Sequence, residues 1–261
     1  MEFPTIPIWG SIQRSYALGL FYFFLLVRLG TSSWIAIVIL TWGIDMVRLA
    51  LGIDGVLDLT ISVVGEIIIE VVLINFFAIR VFRLLLLEHS DERTVFDNVS
   101  LNLMPGYMRY FAMILTADAA ILVVGYLAAT ALIPFIGLFA FFVFAPFVLA
   151  AVWVYAWLSF VLPAASIPVP YRFQESSLAT RGTLPRLVFI TVAVVLPWFL
   201  LSWFAIWASG IESGLDSLRH WLMVPVIAAL HCARSAAFVV VSAVCFEERT
   251  GWQPGAEKVD F

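Results

Sequence analysis

The chain is a succession of apolar stretches of about 20 residues, separated by short polar segments. Hydrophobic residues make up 63% of its 261 residues and charged residues only 12%, and the mean hydropathy is +1.05. A water-soluble domain of this size could not hide so much apolar surface, because its exterior has to be largely polar. The sequence therefore predicts an all-α fold, a polytopic transmembrane helical bundle whose solvent is the bilayer.

The lengths of the apolar stretches predict about six spans, since a helix needs about 20 apolar residues to cross the hydrocarbon core. They form a single predicted membrane domain, residues 1–261. The transmembrane bundle is predicted at 33–247, after a cytoplasmic or interfacial segment at 1–32 and before a cytoplasmic tail at 248–261. The predicted spans are residues 33–52, 60–82, 110–132, 135–156, 187–208 and 221–246.

Residues 8–29 are predicted to form an N-terminal helix that lies in the membrane interface. Their most apolar part, residues 16–27, is bracketed by Arg14 and Arg28 and is too short to cross the bilayer as a helix. The alternative is a long tilted segment that runs directly into the first span.

Proline and glycine mark several predicted helix ends. Pro105 is predicted to open the third span and Pro134 to end it. Residues 162–164, Leu-Pro-Ala, are predicted to end a helix. Residues 180–182 are predicted to form a turn before the helix that Pro185 begins.

The distribution of basic residues predicts the orientation, because cytoplasmic loops carry an excess of Arg and Lys. With the N-terminus inside, 11 of the 14 basic residues fall in cytoplasmic segments. Both termini are therefore predicted to be cytoplasmic, in a bacterial-type inner membrane. The net charge of −4 gives no indication of a nucleic-acid partner. The 11 residues are Arg14, Arg28, Arg80, Arg83, Arg93, Arg109, Arg172, Arg181, Arg186, Arg249 and Lys258.

Ionisable residues inside predicted spans are the main candidates for a functional site, since each is costly in the bilayer unless it faces a partner or water. A polar cluster joining spans two, three and six is predicted, either as a lock that fixes helix register or as a proton or ion pathway. Asp45 and Arg48 are predicted to pair separately at the outer rim. The predicted cluster consists of Glu66, Glu70, Asp118, His231 and Arg234.

No catalytic residues and no metal site are predicted, because the chain lacks a phosphate-binding glycine loop, a G-x-S-x-G motif and a C-x-x-C motif. Cys232 and Cys245 are 13 residues apart, about 20 Å along a helix, so they cannot form a disulfide with each other. No cofactor is predicted, although bound lipid is expected. His231 is the one candidate cofactor ligand, for a haem or a chlorophyll.

The connection between the fourth and fifth spans has the most recognisable sequence: residues 155–164 read YAWLSFVLPA and residues 176–182 read SSLATRG. It resembles a pattern of uncharacterised bacterial inner-membrane proteins and of the membrane regions attached to some glycerophosphodiester phosphodiesterases. Trp157 stands where that pattern usually has Arg, and Leu178 where it usually has Trp. The chain contains no phosphodiesterase catalytic domain, so the resemblance implies no such activity.

These observations predict a non-catalytic integral membrane protein, an accessory, scaffolding or assembly component of an inner-membrane complex. Its expected partners are membrane lipids and other membrane subunits. The alternative is a small transporter or permease that uses the intramembrane carboxylates. A membrane-embedded lipid enzyme is a third hypothesis, for which only the loop at 171–186 offers polar groups near the headgroups.

Overall fold

The computed structural model of the chain is helical throughout its described part, which contains no β-strand. The described residues are 4–52, 75–87, 98–136, 139, 141–167, 178–209 and 218–252. The helices are α1 (Ile8–Phe21), α2 (Phe23–Leu51), α3 (Asn75–Leu86), α4 (Asn98–Ile136), α5 (Phe141–Leu158), α6 (Val161–Ala165), α7 (Leu184–Ser209) and α8 (Leu218–Thr250).

Among these described residues, three helices are long and apolar enough to cross a membrane. They comprise α2, the Leu184–Ser202 part of α7 and the Trp221–Thr250 part of α8. Their most apolar 18-residue windows have mean hydropathies between 1.9 and 2.1. They overlap the first, fifth and sixth predicted spans, so the all-helical, membrane-type character of the fold is confirmed, and the count of six spans stays a prediction.

The N-terminal helices α1 and α2 follow each other with only Tyr22 between them. The backbone N–H of Tyr22 donates to the carbonyl of Leu18 at 2.9 Å, so the helical pattern of hydrogen bonds continues between α1 and α2. Because α2 begins at Phe23, the segment 8–29 predicted to be one interfacial helix is divided between α1 and the start of α2. α1 runs into α2 without a loop, as in the alternative prediction.

The helices α4 and α5 form a closely packed antiparallel pair. Pro105 does not begin a helix, because α4 begins at Asn98 and continues through Pro105; that the third span opens there stays a prediction. Membrane-type helices tolerate proline where neighbouring groups satisfy the freed carbonyl, and α5, α7 and α8 also contain one. At Gly125 a Cβ would lie 2.5 Å from the Cβ of Phe147, so the backbones approach closely there.

The connection before α7 differs from the prediction in one respect. Residues 162–164 do not end α5, which stops at Leu158, but form most of the five-residue helix α6. The predicted turn is confirmed: residues 181–183 are a turn, and Gly182 has a left-handed φ of +78°, which favours glycine. Pro185 is the second residue of α7, where its missing N–H costs nothing.

Burial is concentrated at one end of the bundle. Along α8, residues 239–246 are all buried, whereas residues 231–238 are only half-buried. The buried end packs against α1, α3 and α6, and the rings of Phe160 and Phe246 meet there edge to face at 5.9 Å. Large apolar side chains along α2 and α7 are exposed, as they would be where a helix faces lipid.

Candidate functional site

Among the described residues, the densest set of polar contacts lies where the packed end of α8 meets residues 4–16. We call it the helix-end junction and define it as residues 4–16, 178–186 and 247–252. It joins the segment before α1, the first half of α1, the turn before α7 and the last turn of α8. Its geometry explains why burial is greatest at this end of the bundle.

Arg249 is the centre of the helix-end junction, and it is only 5% exposed. Its Nε donates to the carbonyl of Ala179 at 2.6 Å, and its Nη1 to the carbonyl of Pro4 at 2.6 Å. Its Nη2 donates to the carbonyl of Arg181 at 3.1 Å. A guanidinium carries five N–H donors in a rigid plane, so it can hold several acceptors in fixed directions. One side chain thus connects α8 to the N-terminal segment and to the turn before α7.

Two glutamates in the last turns of α8 bind the outer side of α1. Arg14 Nη2 donates to Glu247 Oε2 at 2.5 Å, and Arg14 Nη1 lies 3.8 Å from Glu248 Oε1. The Ser11 hydroxyl lies 2.5 Å from Glu248 Oε2 and is fully buried. Because the Arg14 side chain is 46% exposed, solvent weakens its ion pair, and the buried serine contact fixes the position of α1 more firmly.

Two further contacts extend the helix-end junction to α3 and α7. The indole N–H of Trp252 donates to the carbonyl of Leu86 at the end of α3, at 2.9 Å. Arg186, in the first turn of α7, donates to the carbonyl of Ile6 at 3.4 Å. Four helices and the N-terminal segment are therefore tied together at one end of the bundle, mostly through side chains that bind backbone carbonyls.

The residues of the predicted intramembrane cluster are only partly described. His231 and Arg234 lie one turn apart on α8 and are half-buried, and Ser235 donates to the backbone carbonyl of His231 at 2.9 Å. Asp118 belongs to α4, but its side chain lies outside the described part of the chain, as do Glu66 and Glu70 entirely. A cluster joining the three spans therefore stays a prediction, and so does a cofactor at His231.

The prediction that Asp45 and Arg48 pair is confirmed. Arg48 Nη1 donates to Asp45 Oδ1 at 3.0 Å, and Asp45 is buried. Arg48 lies in the last turn of α2, where a positive charge also interacts favourably with the helix dipole. Gly52 then ends the helix in a left-handed conformation, with φ of +57°. This pair is a local feature at the far end of α2 from the helix-end junction.

Within the described residues, no group of three or more His, Cys, Asp or Glu side chains could hold a metal ion. The acidic residues of the helix-end junction, Glu247 and Glu248, instead face Arg14 and Ser11 of α1. The arrangement can fasten helices and resist their separation.

Sequence reasoning missed the helix-end junction because it placed a cytoplasmic tail at residue 248. The structure continues α8 to Thr250 and buries Arg249. The run Glu247-Glu248-Arg249 directly after an apolar span is the only sequence signal, and it is equally typical of a solvated helix end. The acceptors of Arg249 are backbone carbonyls, which every residue has, so the sequence does not indicate them.

No protein-family model, curated protein or solved structure matches this chain. The resemblance to membrane regions attached to glycerophosphodiester phosphodiesterases therefore stays a prediction, and the functional argument depends on the geometry.

Proposed function

We propose that the chain is a non-catalytic integral membrane protein that serves as an accessory, scaffolding or assembly component of a membrane complex. The observation that supports this proposal most directly is the helix-end junction. There Arg249 donates to three backbone carbonyls of its own chain, and Arg14 pairs with Glu247. These charged side chains bind groups of the chain's own helices and turns, which is a structural role of the kind that a scaffold needs.

The exposed aromatic residues give the proposal a second support. Phe135 and Phe142 are exposed near the tip of the α4–α5 pair, and Phe199 and Phe204 are exposed on α7. Aromatic side chains are enriched in the centres of protein interfaces, because each covers a large area at a small cost in conformational entropy. In a bilayer these faces are available to lipid or to helices of a partner subunit.

A comparison of two exposed faces tests the proposal. The tagged chain is extracted from its native membrane in polymer discs that retain lipid, and co-purifying polypeptides are quantified. We expect at least one polypeptide at a fixed ratio, with its recovery lowered by Phe142→Ala or by Phe199→Ala but not by both. Each variant is a matched control for the other, since both remove one exposed aromatic ring. A monomer without stoichiometric partners would contradict the proposal.

We further propose six spans with both termini in the cytoplasm of a bacterial inner membrane. This orientation places the helix-end junction at the cytoplasmic surface, where its arginines satisfy the excess of positive charge inside. Single cysteines at Asp58 and Ser213, in a chain without its two native cysteines, should react with an impermeant reagent from outside. Cysteines at Ser90 and Ser176 should not, and outside labelling at either would refute this topology.

The second candidate function is a small transporter or permease. It is supported by His231 and Arg234, which are half-buried near the middle of a helix long enough to span the membrane. Ionisable residues at such positions often mark substrate or ion pathways. A scaffold should tolerate Glu66→Gln, which keeps the side chain's size but cannot titrate. Loss of function with normal abundance and normal assembly would favour transport.

A further inference from the structure

Two exposed arginines lie where α7 begins. Arg181 belongs to the turn before the helix and Arg186 to its first turn, and both residues are exposed. The turn between them is held by its own hydrogen bonds, such as the one from the backbone N–H of Arg186 to the carbonyl of Thr183 at 2.9 Å. Arg249 binds the carbonyl of Arg181 and so fixes the turn against α8. The two guanidinium groups are therefore carried by backbone that the helix-end junction keeps in place.

These arginines give the helix-end junction an excess of positive charge. The junction has four arginines and two glutamates, a formal charge of +2, whereas the whole chain has −4. Glu247 and Glu248 already face Arg14 of α1. Arg186 donates to a neutral group, the carbonyl of Ile6, at 3.4 Å. Within the part of the chain that the structure describes, neither of the two arginines at the start of α7 forms an ion pair with an acidic side chain.

This positive charge lies at the edge of the apolar part of the bundle. The apolar stretch of α7 begins at Leu184 and that of α8 ends at Thr250. Arg181 shortly precedes the stretch in α7, and Arg186 lies in its first turn. Arginines at the ends of membrane helices extend their charged heads to the interface. Both guanidinium groups are therefore placed to reach the depth of the lipid headgroups, whichever side of the membrane this end occupies.

Exposed aromatic side chains flank the two arginines along α1 and α7. Trp9 and Tyr16 lie two turns apart on one face of α1, and they are 71% and 41% exposed. The Tyr16 hydroxyl donates to the carbonyl of Ala193 at 3.3 Å, so this face of α1 runs alongside α7. Phe189, one turn after Arg186, is 51% exposed. Because tryptophan and tyrosine are enriched at the level of the headgroups, this combination of aromatic and basic residues is typical of a surface that contacts lipid.

We propose that Arg181 and Arg186 bind the phosphate of an anionic phospholipid such as phosphatidylglycerol. A guanidinium matches a phosphate group with two parallel hydrogen bonds. A zwitterionic headgroup brings its own ammonium, which the positive charge of the junction repels, so a lipid with a net negative charge fits better. A soluble acidic partner would match the charge but not the exposed aromatic residues. The proposal goes beyond the scaffold function, and it rests only on the membrane location of α7 and α8.

Lipid binding by charge-removing variants tests the proposal. The chain in detergent is titrated with an equimolar mixture of dioleoylphosphatidylglycerol and dioleoylphosphatidylcholine, and bound lipid is identified by native mass spectrometry. We expect the parent to prefer phosphatidylglycerol, and Arg181→Gln and Arg186→Gln each to lower that binding by roughly fivefold, the usual contribution of one arginine near an anionic membrane.

Arg28→Gln is the matched control, because it removes an exposed arginine of α2 that lies outside the helix-end junction. It should bind phosphatidylglycerol as the parent does. An equal loss in all three variants would mean a diffuse attraction, and no loss in any of them would mean a different site. Either result would overturn the proposal.

A second measurement uses the unaltered chain, so it does not depend on the folding of a variant. The chain is placed in nanodiscs of phosphatidylcholine, with or without phosphatidylglycerol, and in native membranes. Arginines are then modified with phenylglyoxal and mapped by peptide mass spectrometry. We expect phosphatidylglycerol to slow the modification of Arg181 and Arg186 but not that of Arg28. Equal modification in both kinds of nanodisc would refute the proposal, and protection in native membranes alone would overturn it in favour of a protein partner.

Discussion

Arg249→Leu is the substitution that tests the helix-end junction most directly. The substitution places an apolar side chain of moderate size at this buried position and removes the three hydrogen bonds to the carbonyls of Ala179, Pro4 and Arg181. The N-terminal segment and the turn before α7 then lose their shared attachment to α8. We expect lower stability of the whole chain and, before that, local opening of the N-terminal segment.

The magnitude follows from the exposure of the three acceptors. Ala179 is fully buried, so its carbonyl stays without a donor at a cost of about 1–3 kcal/mol. Pro4 and Arg181 are exposed, so their carbonyls can bind water, and each lost bond costs about 0.5–1.5 kcal/mol. The substitution also removes the cost of burying a guanidinium. The net loss in the free energy of unfolding is therefore about 2–4 kcal/mol.

The measurement is denaturant unfolding of the protein in lipid bicelles, followed by tryptophan fluorescence, with hydrogen exchange of the N-terminal peptide as the local readout. Arg181→Leu is the matched control, because it removes an exposed arginine from the same end but leaves its carbonyl in place. It should change the free energy of unfolding by less than about 0.5 kcal/mol. If Arg249→Leu unfolds as the control does and exchange is unchanged, the hydrogen bonds of Arg249 are not what holds the helix-end junction together.

Two further predictions concern helix contacts. Gly125→Ala should lower the free energy of unfolding by about 1–3 kcal/mol, because the new Cβ would overlap Phe147. In the control, Gly106→Ala, the new Cβ meets no atom within 4 Å, so this substitution should be neutral or stabilising. Equal shifts in the thermal unfolding of the two variants would refute the close approach of α4 and α5. Arg14→Gln should lower the free energy of unfolding by less than about 1 kcal/mol, because the Arg14 side chain in the ion pair with Glu247 is about half-exposed. High salt should reduce this loss, since it screens exposed ion pairs. A larger loss that does not depend on salt would refute this prediction.

The apolar length of the spans could be predicted from the sequence, and their ends could not. The fifth and sixth predicted spans lie inside α7 and α8, but each helix is longer, and α8 continues to Thr250. Hydropathy detects the part of a helix that faces hydrocarbon. The remaining turns are polar and are kept helical by tertiary contacts, such as those of Arg249, that involve residues far away in the chain.

Local hydrogen-bonding patterns were more predictable than contacts between helices. The pairing of Asp45 with Arg48 depends only on helical spacing, and the turn at 181–183 depends only on the residues within it. Proline was less informative, because Pro105 does not interrupt α4. The contacts of the helix-end junction depend on backbone carbonyls brought together by the fold, and no residue pattern encodes those.

The hydrogen bond between Arg249 and the carbonyl of Pro4 constrains the order in which the fold can be completed. Pro4 and Arg249 are separated by 245 residues, so the carbonyl is synthesised long before its donor. At ribosomal rates of about 5–20 residues per second, the N-terminal segment waits roughly 10–50 s for its partner. During that interval the first half of α1 lacks Glu247 and Glu248, and the segment before α1 lacks Arg249. The helix-end junction can therefore form only late in biogenesis, after the final turn of α8 has been synthesised.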